Sequence, residues 1–323
     1  MPECPPAAKE NEPEYEVENE PNYAMSTIDA HVHLYPPEIN RDPSGWAAAH
    51  GESLWGTLCT RRRKDGRAVQ DFPSVDELLR QMDEAAVGRA VLLGWYWTQA
   101  ESCVRQNRFY AECVRAHPDR LSAFASVQPA AGGASAVEEL RQARDSGLIG
   151  VGELSPHAQG YDVASPDLSE VLAAAADWSW ALNLHVTDPA TGKFPGRVET
   201  PLADFHRLAR AWPRVTFILA HWGGGLAWAK PRSEADADGL HNVYYDTAAS
   251  PLLYDAGVWA RAVAAVGASR ILFGSDFPLN GYPKVETAPE MRRFLAEVRA
   301  APLADEERSA ILGGNARRIL ALG

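Results

Sequence analysis

From residue 26 onward the chain alternates eight times between a short apolar, β-branched-rich run and a longer stretch rich in Ala, Leu, Arg and Glu. No other feature restricts the fold as much. The runs are "STIDAHVHL" (26–34), "RAVLLGWYW" (89–97), "LSAFASVQP" (121–129) and "LIGVGELS" (148–155). They continue with "ALNLHVTD" (181–188), "VTFILAHWG" (215–223), "NVYYDTAA" (242–249) and "RILFGSDFP" (270–278). From the second run onward their starts fall 27 to 34 residues apart, the size of a βα unit. Several are apolar almost throughout, as strands covered on both faces must be. Helical patterns fill the gaps: "SVDELLRQMDEAAV" opens on an N-cap candidate, Ser74, with Glu77 three residues on. Eight β-then-α units without an antiparallel block predict an α/β fold, a single (β/α)₈ TIM barrel. An open doubly wound sheet would want a Gly-rich phosphate turn after its first strand, and "HVHLYPPE" is not one.

The repeat sets the segment boundaries. Residues 1–25 form an acidic Pro/Glu-rich tail, expected to be disordered, and 26–323 form the barrel. Residues 1–24 hold seven glutamates against Lys9, which is half of the formal net charge of −12. The rest of the chain is therefore only mildly acidic, which argues against nucleic acid as a partner. No run of about eighteen apolar residues exists to span a membrane. The N-terminus lacks the basic and apolar regions of a secretory leader, and the four cysteines form no CxxC pair. A cytoplasmic protein with reduced thiols is expected, and assembly with further copies of itself is left open. An insertion at 36–73 separates the first strand from its helix, a length typical of segments that cover an active site. It carries Trp46, Trp55 and the basic cluster Arg61, Arg62, Arg63, Lys64 and Arg67. The closing helix pattern is broken at Gly313–Gly314, where Asn315 is expected to cap the last turn.

In such a barrel the C-terminal ends of the strands build the active site. Reading those ends gives His31 and His33, Glu153, His185, His221, Asp246 and Asp276. His31 and His33 differ by two, so they share one face of their strand. Two imidazoles from one strand can then meet His185, His221 and Asp276 at one ion, and these are good ligands for zinc, manganese or iron. Each piece alone has an ordinary explanation. Asp276 in "GSDFP" could cap a turn, Glu153 could pair with an arginine, and a single histidine could be a core residue. Their joint occurrence at strand ends favours a metal site.

The motifs "IDAHVHL", "NLHVTD", "LAHWGG", "ILFGSDFP" and "ILGGNARRIL", in this order, resemble the metal-dependent amidohydrolase superfamily. Within it they resemble the amidohydrolase-related branch of aminocarboxymuconate-semialdehyde decarboxylase-like and pyrone-dicarboxylate-lactonase-like enzymes. The resemblance implies that His31, His33, His185 and Asp276 bind a catalytic divalent ion, zinc first and manganese or iron next. It implies that His221 either ligates the metal or acts beside it as acid, base or electrophile. For Glu153 the resemblance implies no single role: it matches a strand-four glutamate that bridges a second metal in some members.

The implied reaction is hydrolysis of a C–O or C–N bond in a lactone, ester or amide of a small organic acid, with Asp276 and His221 as the catalytic pair. Asp276 would take the proton of a metal-activated water, and His221 would polarise the carbonyl. The alternative is non-oxidative decarboxylation of an aromatic or unsaturated acid by the same residues. A TatD-like nuclease and a catalytically silent metal-binding barrel are further options. Trp46, Trp55, Trp95, Tyr96, Trp97 and Trp222 are expected to line a slot for a planar or aromatic organic acid. Trp95 and Trp97 alternate with Tyr96, however, so one or more of these three must face the helices. Arg61 is the candidate for its carboxylate, against a plain solvated charge cluster.

Overall fold

The computed structural model describes residues 27–229 and 240–322. The acidic tail, with Cys4, lies outside the described residues. The eight strands are β1 (Ile28–Val32), β2 (Arg89–Leu92), β3 (Leu121–Ala123), β4 (Gly150–Leu154), β5 (Ala181–Leu184), β6 (Thr216–Leu219), β7 (Val243–Asp246) and β8 (Ile271–Leu272). All pair in parallel, in the orders β1-β2-β3 and β4-β5-β6-β7-β8. Backbone bonds close both seams. Ile149 N donates to Ala123 O and Ala125 N to Gly150 O, each at 2.9 Å. Across the other seam, Ala30 N donates to Phe273 O at 2.8 Å and His33 N to Phe277 O at 2.7 Å. The result is the (β/α)₈ barrel.

The strands are shorter than the apolar runs that announced them. β8 keeps only Ile271–Leu272 of its run, because the chain then leaves the ladder and turns its end into the barrel mouth. Asp276 sits there at φ 66°, in the left-handed region that non-glycine residues seldom occupy.

The main core lies between strands and helices. Val32, Leu92, Leu184 and Phe217 pack against Leu78, Leu140, Leu172, Leu208 and Leu295 from the outer helices, all buried. Each such side chain contributes about 1.5–3 kcal/mol. A second cluster takes Ile28, Val91, Ala181, Ile218 and Leu272 from the strands and Phe124 from just after β3, with Leu320 and Leu322 from the C-terminus. It forms the floor beneath the site. The Ser74 hydroxyl accepts from Glu77 N, as the sequence pattern predicts for an N-cap. The cap expected at Asn315 is not formed. Gly314 and Asn315 keep helical dihedrals, so the glycine pair does not end the helix. The Asn315 carboxamide instead donates to Ala268 O and Ile271 O, tying the helix to β8.

The insertion folds into three short helices, α1 (Pro37–Arg41), α2 (Pro43–Ala49) and α3 (Ser53–Cys59). A turn closed by the Arg62–Ala68 bridge follows. Asp71 N then donates to Pro278 O and Asn280 N to Val69 O, which stitches the insertion to the segment after β8. This fixes Arg61 and Arg63 over the barrel mouth. Among the described residues, no helix is long and apolar enough to cross a membrane.

Candidate metal centre

His31 and His33 project from the same face of β1, as their spacing requires, and both are buried. His31 Nδ1 lies 2.9 Å from Asp246 Oδ2, and His33 Nδ1 lies 3.0 Å from Leu93 O. Both partners are acceptors, so each Nδ1 carries its hydrogen and each neutral ring keeps its lone pair on Nε2. The two Nε2 atoms face one another at 3.1 Å. Two buried lone pairs at that separation need a cation, either a shared proton or a metal ion. Gly274 makes room here, since a Cβ at that position would come within 2.6 Å of His31 Cβ.

Two carboxylates flank the pair. Asp276 Oδ1 lies 3.7 Å from both Nε2 atoms, and Glu153 Oε2 lies 3.9 Å from His31 Nε2 and 3.7 Å from His33 Nε2. The other Glu153 oxygen, Oε1, accepts from His185 Nδ1 at 2.9 Å and lies 3.8 Å from His221 Nε2. His221 Nε2 is 3.2 Å from His185 Nδ1, while His221 Nδ1 donates to Ala248 O at 3.1 Å. Backbone geometry at His221, Trp222, Ala249 and Asp276 is left-handed, a strain of the kind held at functional sites.

These residues fit divalent metal. Ligands bound about 2.0–2.2 Å from one ion stand roughly 3–3.6 Å apart, close to the separations observed. The donors form two groups, His31–His33–Asp276 and Glu153–His185–His221, with the ligand atoms of each within 4.8 Å of one another. His185 therefore falls with Glu153 and His221 rather than with the first-strand pair, and Glu153 borders both groups.

Metal-free, the cage holds protons instead. Burial opposes charge on His31, but Asp246, Glu153 and Asp276 outweigh it and raise its pKa to about 10. Burial and the neighbouring His31 push His33 down to about 4, so this pair shares one proton. Burial and His185 likewise lower His221 to about 4. Burial alone would raise Glu153, yet His185, His31 and His221 hold it well below the usual carboxylate range. Burial, with Glu153 and Asp246 adding repulsion, lifts Asp276 to about 8 against the pull of His31.

Beside the cage opens a chamber of about 670 Å³. Trp95, Tyr96, Leu58, Leu253 and Tyr254 wall it, and Arg61, Arg63 and Asp188 supply polar groups. Of the tryptophans expected to line it, Trp46, Trp55, Trp97 and Trp222 do not. Trp46, Trp55 and Trp97 pack on one another, at ring distances of 5.4–5.9 Å, beneath the insertion. Trp222 is fully buried against Trp259 and donates to Ser250 Oγ. Strand β2 ends at Leu92, so residues 93–97 no longer alternate, and adjacent Trp95 and Tyr96 both reach the chamber. Arg61 reaches it too, resting over the Phe194 ring at 4.6 Å and donating to Pro195 O. His157, the histidine next nearest the rim, pairs with Asp204 outside the site.

Sequence reasoning gave no place to Asn183, Asp188 or Tyr254, and named Asp246 only by its position at a strand end. Asp246 stood at a strand end, and Asp188 lies in the "NLHVTD" motif, so both carried a positional signal. Tyr254, whose hydroxyl donates to Asp188, follows a short helix after β7 and carried none.

A family model described as Amidohydrolase matches residues 28–322, and the chain belongs to that family. No curated protein sequence matches significantly. Among solved structures, the chain is similar to 5-carboxyvanillate decarboxylase from Sphingomonas paucimobilis, with a TM-score of 0.70 and 18% identity over 93% of this chain and 100% of that one. It is similar to 2,6-dihydroxybenzoate decarboxylase from Rhizobium, with a TM-score of 0.65 and 21% identity over 92% and 99% of the two chains. A third is dihydroxybenzoic acid decarboxylase from a Polaromonas species, bound to manganese and 2-nitroresorcinol, at TM-score 0.66 and 20% identity over 92% and 97%.

Proposed function

We propose that this chain is a metal-dependent, non-oxidative decarboxylase of a small aromatic carboxylic acid, the second of the two reactions expected from sequence. The observation that carries the reading is the place of Asp276. It is a buried carboxyl at the boundary between the cage and an aromatic-walled chamber. That is the position required of an acid that protonates a ring carbon. Three structurally similar proteins named as decarboxylases of aromatic acids support it.

His31, His33 and Asp276 would hold a divalent ion, which would supply positive charge for a substrate carboxylate. Zinc suits the imidazole-rich donor set, and manganese is the ion in the Polaromonas decarboxylase. Glu153, His185 and His221 offer a second position. Trp95 and Tyr96 flank the ring, and Arg61 and Arg63 anchor an anionic or hydroxyl group remote from the cage. With substrate bound, Asp276 would carry a proton taken from solvent to the carbon bearing the carboxylate. The C–C bond electrons stay with the ring, CO₂ leaves, and Asp276 regains a proton from solvent.

Hydrolysis is the second reading, favoured by Glu153 bordering both donor groups, an arrangement suited to two ions and a shared water. A screen of hydroxylated aryl acids and lactones in deuterated water separates them. CO₂ release with deuterium on the vacated ring carbon supports decarboxylation. Acid release without CO₂, with oxygen from water in the product, overturns it.

A further inference from the structure

The residue that decides which nitrogen of His31 is free for metal is Asp246, on the opposite side of the ring from the cage. Asp246 ends β7, is fully buried and does not line the chamber. Its two oxygens receive four hydrogen bonds. Oδ2 accepts from His31 Nδ1 at 2.9 Å and Asn183 Nδ2 at 3.0 Å. Oδ1 accepts from His221 N at 3.0 Å and Ala248 N at 3.1 Å. Every partner is a donor, and only a carboxylate can accept from all four.

We propose that Asp246 is a tautomer lock: it keeps the hydrogen of His31 on Nδ1, so that Nε2 presents its lone pair to the cage, while fixing the His221 amide in its left-handed turn. The inference rests on His31 being a metal ligand and is independent of which reaction follows. Asp246 acts through His31 and is a positioning residue.

The chemistry of an isosteric amide makes the lock testable. In Asp246→Asn one oxygen becomes an NH₂ group. The amides of His221 and Ala248 can only donate, so the remaining oxygen stays with them. The NH₂ group is left facing His31 and Asn183. Asn183 can turn its own carboxamide to meet it, because its Oδ1 is buried without a partner. His31 can meet it only by accepting at Nδ1, which moves its hydrogen to Nε2, where the ion must bind. Asp246→Ala removes four bonds but imposes no tautomer.

The experiment is zinc affinity by chelator competition for wild type, Asp246→Asn and Asp246→Ala, with thermal unfolding of each metal-free form. A lock predicts that the asparagine variant loses about 10- to 100-fold in affinity, the range typical of such outer partners. It also predicts that the alanine variant loses less affinity while losing more thermal stability. A purely structural role predicts the opposite order of affinities and overturns the proposal. Nitrogen-15 histidine spectra of metal-free Asp246→Asn give a second readout that stands if the alanine variant does not fold. His31 with Nδ1 stripped of hydrogen and Nε2 carrying it supports the lock, and hydrogen retained on Nδ1 overturns it. Failure of wild type to bind any divalent ion would sink the metal reading itself, a distinct result.

Discussion

Glu153 and His185 are joined at 2.9 Å through Oε1 and Nδ1, while the other oxygen of Glu153 lies 3.7 Å from His33 Nε2. One carboxylate therefore spans two strands' worth of imidazoles. If two ions bind, it is the group they share. In that case elemental analysis after metal reconstitution should give more than one ion per wild-type chain, and Glu153→Gln should lose one and keep the ion at His31, His33 and Asp276. His33→Ala should lose that remaining position. A wild-type chain that saturates at one ion, with Glu153→Gln unchanged, removes the second position.

The cage should exchange protons for metal. His31 is raised from its ordinary 6.5 to about 10, and Asp276 from 3.8 to about 8. Both shifts are upward, so the stability they lend the metal-free fold is complete below the ordinary values and is lost as pH rises through the raised ones. His33 and His221, lowered to about 4, act oppositely only below about pH 6.5, so the melting temperature of metal-free protein should decline between pH 7 and 10 by more than that of the metal-loaded form. Calorimetric titration with zinc at pH 7, repeated in buffers of different ionisation enthalpy, should show proton release on binding. Uptake of protons, or none exchanged, contradicts the shared-proton description of His31 and His33.

The fold and the inner cage were legible because both follow from position along a repeat. A barrel strand must turn its C-terminal end to the mouth, so His31, His33, Glu153, His185, His221 and Asp276 could be read off strand ends without contacts. What could not be read was anything set by partners far apart in sequence. The four bonds of Asp246 come from β1, β5 and the two turns after β6 and β7. Nor does composition tell which side of an insertion faces inward. Trp46 and Trp55 lie in the segment that covers the mouth, but they face a packed aromatic layer and leave the chamber wall to Leu58, Arg61 and Arg63.

That division of labour among aromatic residues predicts two different phenotypes. Trp55 is fully buried and touches Tyr35, Trp46, Phe72 and Trp97. Trp55→Ala should cost about 3–5 kcal/mol of stability, measured by denaturant unfolding, as large-to-small core changes do. Trp95 packs its ring 5.6 Å from His33 and 4.2 Å from Tyr96 at the chamber wall. Trp95→Leu should raise KM for an aromatic acid with a smaller loss of stability. Equal stability losses with unchanged KM would remove Trp95 from the substrate wall.

The basic cluster separates by side of the turn. Arg61 and Arg63 line the chamber, whereas Arg62 and Lys64 are exposed outside it. Burial lowers the pKa of both inward guanidinium groups, and Arg63 Nε is buried without a partner, so an incoming anion would find donors already stripped of water. A charge-assisted hydrogen bond is worth about 1.5–3 kcal/mol, so Arg61→Met or Arg63→Met should lower kcat/KM about 10- to 100-fold for substrates with a second anionic group. The loss should appear mainly in KM, since these residues stand away from Asp276, the proposed proton donor. Arg62→Met should leave the constants within a factor of about two, because its guanidinium donates to Gly66 O on the outer side of the turn. Equal effects at positions 61, 62 and 63 would mean that the cluster attracts the substrate as a diffuse field, and a salt titration that abolished all three effects together would establish it.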